Sequence, residues 1–337
     1  MNDAQQPSPD LFFKTITSYQ DTAALRAGLE LGIFTLLGDG PKSAADVARL
    51  GNCSPRGVRI LCDNLTVQGF LTKTGDQYAL TPDSAAFLNR NSPAYLGGTV
   101  GFLLSEGLTK CFGALTEAVR RGGTASSEKG TIEENHPIWI SFARAMGGMM
   151  FPASNGLVEL IVIDADRPAK VLDVAAGHGM WGLAFAKKYP RAEVVALDWA
   201  AVLEVARENA QRAGLSDRFS TIAGNAFEVD LGRNYDVVLI PNFLHHFNVA
   251  DCVRFLKRVH AALHPGGRVA IVEFVPNEDR VTPPMAASFS LVMLATTPEG
   301  DAYTFAEYTR MLAEAGFQAP TAHPLPASMN EVIISKR

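Results

Sequence analysis

A two-part α/β protein is what this sequence predicts: a mostly parallel, helix-covered sheet over residues 166–337, a mostly helical domain over residues 1–100, and a helical connection over residues 101–165. Three observations predict it. From residue 168 onward apolar strand-like runs alternate with helical stretches, the pattern of parallel βαβ units. Within that region Val171-Leu-Asp-Val-Ala-Ala-Gly-His-Gly-Met-Trp-Gly182 carries a strand into glycines and then into a helix. Residues 12–90 read instead as short helices followed by a hairpin. With 337 residues, 47% of them apolar and 19% charged, the chain is long enough to bury a full core in two domains.

The elements follow in order. Ala23 to Leu37 places apolar residues at helical spacing. Ser43 can cap the next helix, with its oxygen accepting an orphan amide while Asp46 reaches back. Ser54-Pro-Arg-Gly-Val-Arg-Ile-Leu-Cys-Asp-Asn-Leu65 predicts a third helix with Pro55 in its first turn. Phe70 to Leu80 then reads as two short strands around Gly75-Asp76. The order is that of a winged helix, often a DNA reader. Its candidate recognition helix offers only Arg56 and Arg59, too few cations to anchor phosphates, so nucleic acid is not the expected partner.

The connection is helical with a break at Arg121-Gly-Gly-Thr-Ala-Ser-Ser127, and its later part, Trp139 to Phe151, is rich in Met and aromatic side chains. Such a stripe reads equally as core or as the wall of an apolar pocket, and Gly147-Gly148 interrupts the helix at a cost.

Beyond residue 168 the chemistry concentrates. Gly177-His-Gly179-Met-Trp-Gly182 satisfies the G-x-G-x-x-G dinucleotide fingerprint, with the acid Asp198 ending the next strand about 20 residues further on. Asp173 argues against a dinucleotide, because that fold keeps its strand apolar up to the first glycine. Read from Asp173 the pattern is D-x-A-x-G-x-G, which resembles motif I of the Rossmann-like class I S-adenosylmethionine methyltransferases, with Ala175 in place of the first glycine. Phe219 to Phe227, Tyr235 to Ile240 and Leu263 to Glu273 resemble that family's third, fourth and fifth strands in register. The N-terminal pattern is similar to the dimerisation domain of the small-molecule O-methyltransferases of the plant caffeate and bacterial antibiotic-pathway type.

That resemblance implies a set of roles. Asp173, Ala175, Gly177, Gly179, Asp198, Trp199, Asn225, Ala226, Phe227 and Asn242 would contact S-adenosyl-L-methionine, with Asp198 on the ribose and Trp199 stacked on the adenine. Asn225 replaces the family's acid beside the adenine amino group, where an amide oxygen can still accept. Pro241-Asn-Phe-Leu-His245-His246 is similar to the family's L-H-D-W segment, which makes His245 the general base, with Glu273 orienting it. His246 and Phe247 replace Asp and Trp, and Ala302 stands where a second orienting acid belongs. Phe142, Met146, Met149, Phe289 and Met293 would line the acceptor.

The expected function is methyl transfer from S-adenosylmethionine to a hydroxyl of a small aromatic or polyketide-like metabolite by a cytoplasmic homodimer. Ala302 keeps methylation of carbon open as an alternative, and a nicotinamide-dependent oxidoreductase, a DNA-binding regulator or a ligand-binding protein without turnover complete the set. Net charge is −5, with no Lys/Arg run. Met1 to Asp10 lacks the basic and apolar segments of a leader, and no uncharged stretch is long enough to span a bilayer. Cys53, Cys62, Cys111 and Cys252 show neither disulfide nor metal spacing, so free thiols and no metal site are expected.

Overall fold

The computed structural model describes residues 7–326 and 328–337. The first six residues, on which the leaderless reading largely falls, lie outside the described residues. The chain forms two compact units, one ending at Val100 and the other Gly101–Arg337.

The first unit contains α1 (Asp10–Glu30), α2 (Ile33–Leu36), β1 (Lys42–Ser43), α3 (Ala44–Leu50), α4 (Pro55–Val67), β2 (Leu71–Thr74), β3 (Gln77–Leu80) and α5 (Pro82–Phe87). The stretch read as one helix over residues 23–37 is two, because Gly32 turns the backbone left-handed at φ 70°. Ser43 accepts the Asp46 amide at 3.1 Å, but the Asp46 carboxylate takes the Ser43 hydroxyl instead of the cap amide. Its side chain is one methylene shorter than the Glu of a capping box. β1 adds a third strand, giving the order β1-β3-β2. Leu29, Ile33, Phe34, Leu37, Val58, Leu65, Leu71 and Tyr78 form the core. Along α1, by contrast, Leu11, Phe12, Phe13, Ile16 and Tyr19 are all more than half exposed.

The second unit opens with α6 (Val100–Leu103), α7 (Glu106–Gly113), α8 (Leu115–Arg121) and the long α9 (Ile138–Leu160). Contrary to the expected interruption, α9 runs unbroken through Gly147-Gly148 and Pro152. Gly147 packs against His178 of the loop after the next strand, where a Cβ would lie 3.6 Å from the His178 Cβ, an ordinary contact distance.

Then come β4 (Ala169–Val174), α10 (Met180–Lys188), β5 (Ala192–Asp198), α11 (Ala200–Arg212), β6 (Phe219–Ala223), β7 (Tyr235–Pro241), α12 (Val249–Ala262) and β8 (Leu263–Glu273). The chain closes with α13 (Pro284–Thr296), α14 (Phe305–Glu314), β9 (Thr321–Pro324) and β10 (Glu331–Lys336). The sheet order is β6-β5-β4-β7-β8-β10-β9, parallel from β6 to β8 and antiparallel at β10 and β9. This is the α/β class expected, with two antiparallel strands added at one edge.

Strand alternation sorts side chains into two cores. Leu172 and Val174 face the cluster with Phe255, Leu256 and Tyr308, whereas Ala169 and Val171 face Leu157, Trp181 and Phe185 of α9 and α10. Each fully buried side chain of this kind contributes about 1.5–3 kcal/mol. Because the chain goes from β4 to β5 and β6 and then returns to set β7 on the other side of β4, the strand order reverses between β4 and β7. Ligands bind at the carboxyl ends of the strands beside such a reversal.

Candidate active site

Two acids stand at that edge. Asp173 is fully buried; its Oδ2 accepts the Gly182 N–H at 2.8 Å, and its Oδ1 has no partner. Burial pushes its carboxyl up to about 8, against the Gly182 N–H and with the help of nearby Asp198. Gly182 has no room for a side chain, since a Cβ there would meet Val194 Cγ1 at 2.6 Å and Asp173 Oδ2 at 3.0 Å. Asp198, partly exposed, accepts the Gly177 N–H at 2.8 Å through Oδ2 and the Trp199 N–H at 2.7 Å through Oδ1. Its recessed position still raises it to about 6, over the opposing pull of those two bonds.

Between the acids the loop turns on left-handed residues: Ala175 at φ 51°, Gly177 at 55° and Gly179 at 74°. Ala175 carries a Cβ in a region that costs an L-residue roughly 1–2 kcal/mol. His178, buried in the same loop, stacks on Phe142 with centroids 6.1 Å apart and is depressed to about 4 by burial. Asn225 Oδ1 accepts the Phe227 N–H at 3.0 Å and its amide reaches Glu228, which leaves one lone pair on the oxygen. The Ala226 carbonyl accepts from Arg258, and Phe227 packs among Phe243, Phe247 and Phe255. Asn242, at φ 51°, accepts from Asn330 Nδ2 at 3.1 Å. Trp199 clusters with Trp139, Ile140, Ala143 and Val202.

The third acid sits at the end of β8. Glu273 is fully buried and saturated: Oε2 lies 2.5 Å from His245 Nδ1, while Oε1 accepts the amides of Phe243 at 3.1 Å and His245 at 3.3 Å. A carboxylate only accepts here, so His245 Nδ1 carries the hydrogen and Nε2 is left with a lone pair. That nitrogen is 3.1 Å from Nε2 of His246. Phe289 sets its ring edge-on to His245 at 4.8 Å and stacks on Phe274 at 3.9 Å. Gly300 has no space for a Cβ against the His245 carbonyl, so the segment after α13 closes over the histidine.

The remaining residues divide. His245, Glu273 and Phe289 come together, and Phe142 joins the His178 loop. Met146 is only 4% exposed, within the core between α9 and the sheet, and Met149 packs on the same cluster. Met293 is buried on α13. Ala302 is buried, and its acidic neighbours are committed elsewhere, Asp301 to Arg280 at 3.1 Å and Glu299 to Asn248 at 2.6 Å. His245 therefore has one carboxylate partner. Sequence reasoning gave no role to His246, Trp139 or Phe274; the adjacency of His246 to His245, and of Phe274 to Glu273, was the available signal. Among the described residues no cluster of three His, Cys, Asp or Glu side chains could hold a metal ion.

Known proteins share this architecture. A family model described as the O-methyltransferase domain matches residues 156–318, and one described as the O-methyltransferase dimerisation domain matches residues 13–90. The tetracenomycin polyketide synthesis 8-O-methyl transferase of Streptomyces glaucescens is 27% identical over 303 residues, 89% of this chain and 88% of that one. Acetylserotonin O-methyltransferase of Rattus norvegicus is 30% identical over 310 residues, 87% of this chain and 69% of that one. A crystal structure of a protein assigned as an O-methyltransferase from Nostoc punctiforme superposes with a TM-score of 0.95 at 48% identity, covering 99% of this chain and all of that one.

Proposed function

The chain belongs to the O-methyltransferase family, and from that premise we propose that it transfers a methyl group from S-adenosylmethionine to a hydroxyl of a small, planar, aromatic or polyketide-like acceptor. The observation that carries this reading is the Glu273–His245 pair at the carboxyl edge of β7 and β8, beside Asp173 with one unpartnered oxygen at the end of β4 and Asp198 at the end of β5.

The loop fits the cofactor. Asp173 Oδ1 is a buried acceptor without a donor, and Asp198 keeps lone pairs beyond its two amides; a ligand with an ammonium, a sulfonium and ribose hydroxyls supplies positive charge and donors to both. A pyrophosphate would bring negative charge against the unpartnered Asp173 Oδ1, which disfavours a nicotinamide dinucleotide. When bound, S-adenosylmethionine supplies a methyl already activated by its sulfonium.

The protein's own task is then alignment and removal of one proton. Glu273 fixes the tautomer of His245 and stabilises its imidazolium, so the Nε2 lone pair is held in one direction. Phe289 stands edge-on to the base with Phe274 stacked on it, an aromatic pair suited to a flat acceptor.

The dimerisation-domain match and the exposed apolar run on α1 support a homodimer, and no helix among the described residues is long and apolar enough to cross a membrane. We place the enzyme in the cytoplasm. A monomer by light scattering at micromolar concentration would defeat the dimer.

The activity is tested with radiolabelled cofactor and a panel of phenolic polyketides. His245→Ala is expected to lower kcat by about 10²- to 10⁴-fold while S-adenosylhomocysteine binds as before. Full activity in that variant, or label on carbon alone, removes hydroxyl deprotonation from the mechanism.

A further inference from the structure

His246 is the most conspicuous group that this account leaves idle. The residue is 9% exposed, and its Nδ1 is buried with no hydrogen-bond partner among the described residues. Its neighbours offer none. Trp139, edge-on at 5.1 Å, commits its indole N–H to the Thr131 carbonyl at 2.9 Å. Phe247 brings only an apolar ring.

The tautomers follow from Glu273. With the His245 hydrogen held on Nδ1 by the carboxylate, its Nε2 accepts, so the nitrogen facing it at 3.1 Å, His246 Nε2, carries a hydrogen. His246 Nδ1 is then a lone pair aimed away from His245 and unmatched by any protein donor. An acceptor hydroxyl is a donor of the right chemistry. The resting structure also places His246 across the very lone pair of His245 that a directly bound hydroxyl would need.

We propose that His246 is a second catalytic histidine: the acceptor hydroxyl docks on its Nδ1, and the proton reaches His245 through it. This rests on the hydroxyl-methylation reading above. As the acceptor oxygen takes the methyl, the carbon–sulfur electron pair stays on sulfur and the O–H proton passes to His246 Nδ1. The His246 Nε2 hydrogen moves to His245 Nε2. The step leaves a neutral Nδ1–H His246 and a His245 imidazolium paired with Glu273; reversal of the two transfers after product release returns the proton to water. Burial holds His246 well below its ordinary range, so it stays neutral between turnovers.

Two measurements test it. Nitrogen NMR of the unliganded, histidine-labelled protein is expected to show His246 with a protonated Nε2 and a bare Nδ1, signals that His246→Asn removes. A protonated Nδ1 would overturn the relay. Methylation of naphthols of graded acidity by the parent enzyme and by His246→Asn gives the second readout. The variant should lose about 10²-fold on weakly acidic naphthols, the scale of general-base catalysis, and little on one already ionised. A uniform loss across the series would mark His246 as structural, and no loss would leave His245 acting alone; either outcome refutes the relay and leaves hydroxyl methylation standing. A parent enzyme that methylates only carbon sinks the underlying reading instead, whatever the variant does, and if no naphthol is a substrate the tautomer decides.

Discussion

The buried carboxylates at one edge of the sheet are treated in opposite ways. Glu273, at the end of β8, is saturated by an imidazole N–H and two backbone amides, whereas Asp173, at the end of β4, has one amide on one oxygen and nothing on the other. A charge buried with full hydrogen bonding is tolerated; one buried without it shifts toward its neutral form. Glu273 is partnered by the protein and holds the His245 imidazole in place, whereas Asp173 keeps one oxygen that no described residue partners.

The largest effect is expected at Glu273. Glu273→Gln keeps the volume but must turn an amide group toward either His245 Nδ1 or the two amides, and the wrong tautomer results. Turnover should fall about 10²- to 10⁴-fold with S-adenosylhomocysteine affinity intact by calorimetry. Weakened cofactor binding would show that the two ends are not separate.

At the cofactor end the loss should appear in binding. Asp198→Ala removes a charge-assisted acceptor and is expected to weaken S-adenosylhomocysteine by roughly 1.5–3 kcal/mol. Heat from NADH and none from S-adenosylhomocysteine would reverse the ligand assignment.

Asp173 sharpens the contrast through pH. Its carboxyl is raised to about 8 from an ordinary 3.8, so the folded state prefers it protonated. Its contribution to stability is complete below about pH 4 and is lost as pH rises through about 8. Asp173→Asn should flatten that part of the unliganded protein's stability curve, read by denaturant melts between those limits; an unchanged slope means the proton sits elsewhere.

Two smaller effects concern the loop itself. Gly182→Ala would push a methyl into Val194 and Asp173, and overpacking of this kind costs about 1–3 kcal/mol of stability. Ala175→Gly should relieve left-handed strain of roughly 1–2 kcal/mol, less the larger chain entropy of glycine in the unfolded state, for a net gain of at most about 1 kcal/mol. A destabilised glycine variant would mean that the Ala175 methyl packs usefully.

What the sequence determined by itself is local and directional. Apolar runs of strand length, the glycines after Val174 and the helical stretches between strands specify βαβ units, and those units put Asp173, Asp198 and the segment after Ile240 on one edge, because parallel strands end together. The cap at Ser43, the proline in the first turn of α4 and the turn at Gly75-Asp76 were equally readable, since each depends on a few neighbouring residues.

Only the tertiary structure decided which polar atoms meet and which stay bare. Glu273 and His245 are 28 residues apart, and their contact exists because β7 and β8 pair in a register that sets Pro241 against Val272. Asp301 and Glu299 stand close in sequence to the vacant second acidic position, yet Arg280 and Asn248 draw them off. The helical period admitted Met146 as core or pocket wall, and packing against the sheet put it in the core. The same holds for His246: adjacency to His245 is written in the chain, but the orphaned Nδ1 is a property of everything folded around it, because a missing partner can be known only when all the neighbours are in place.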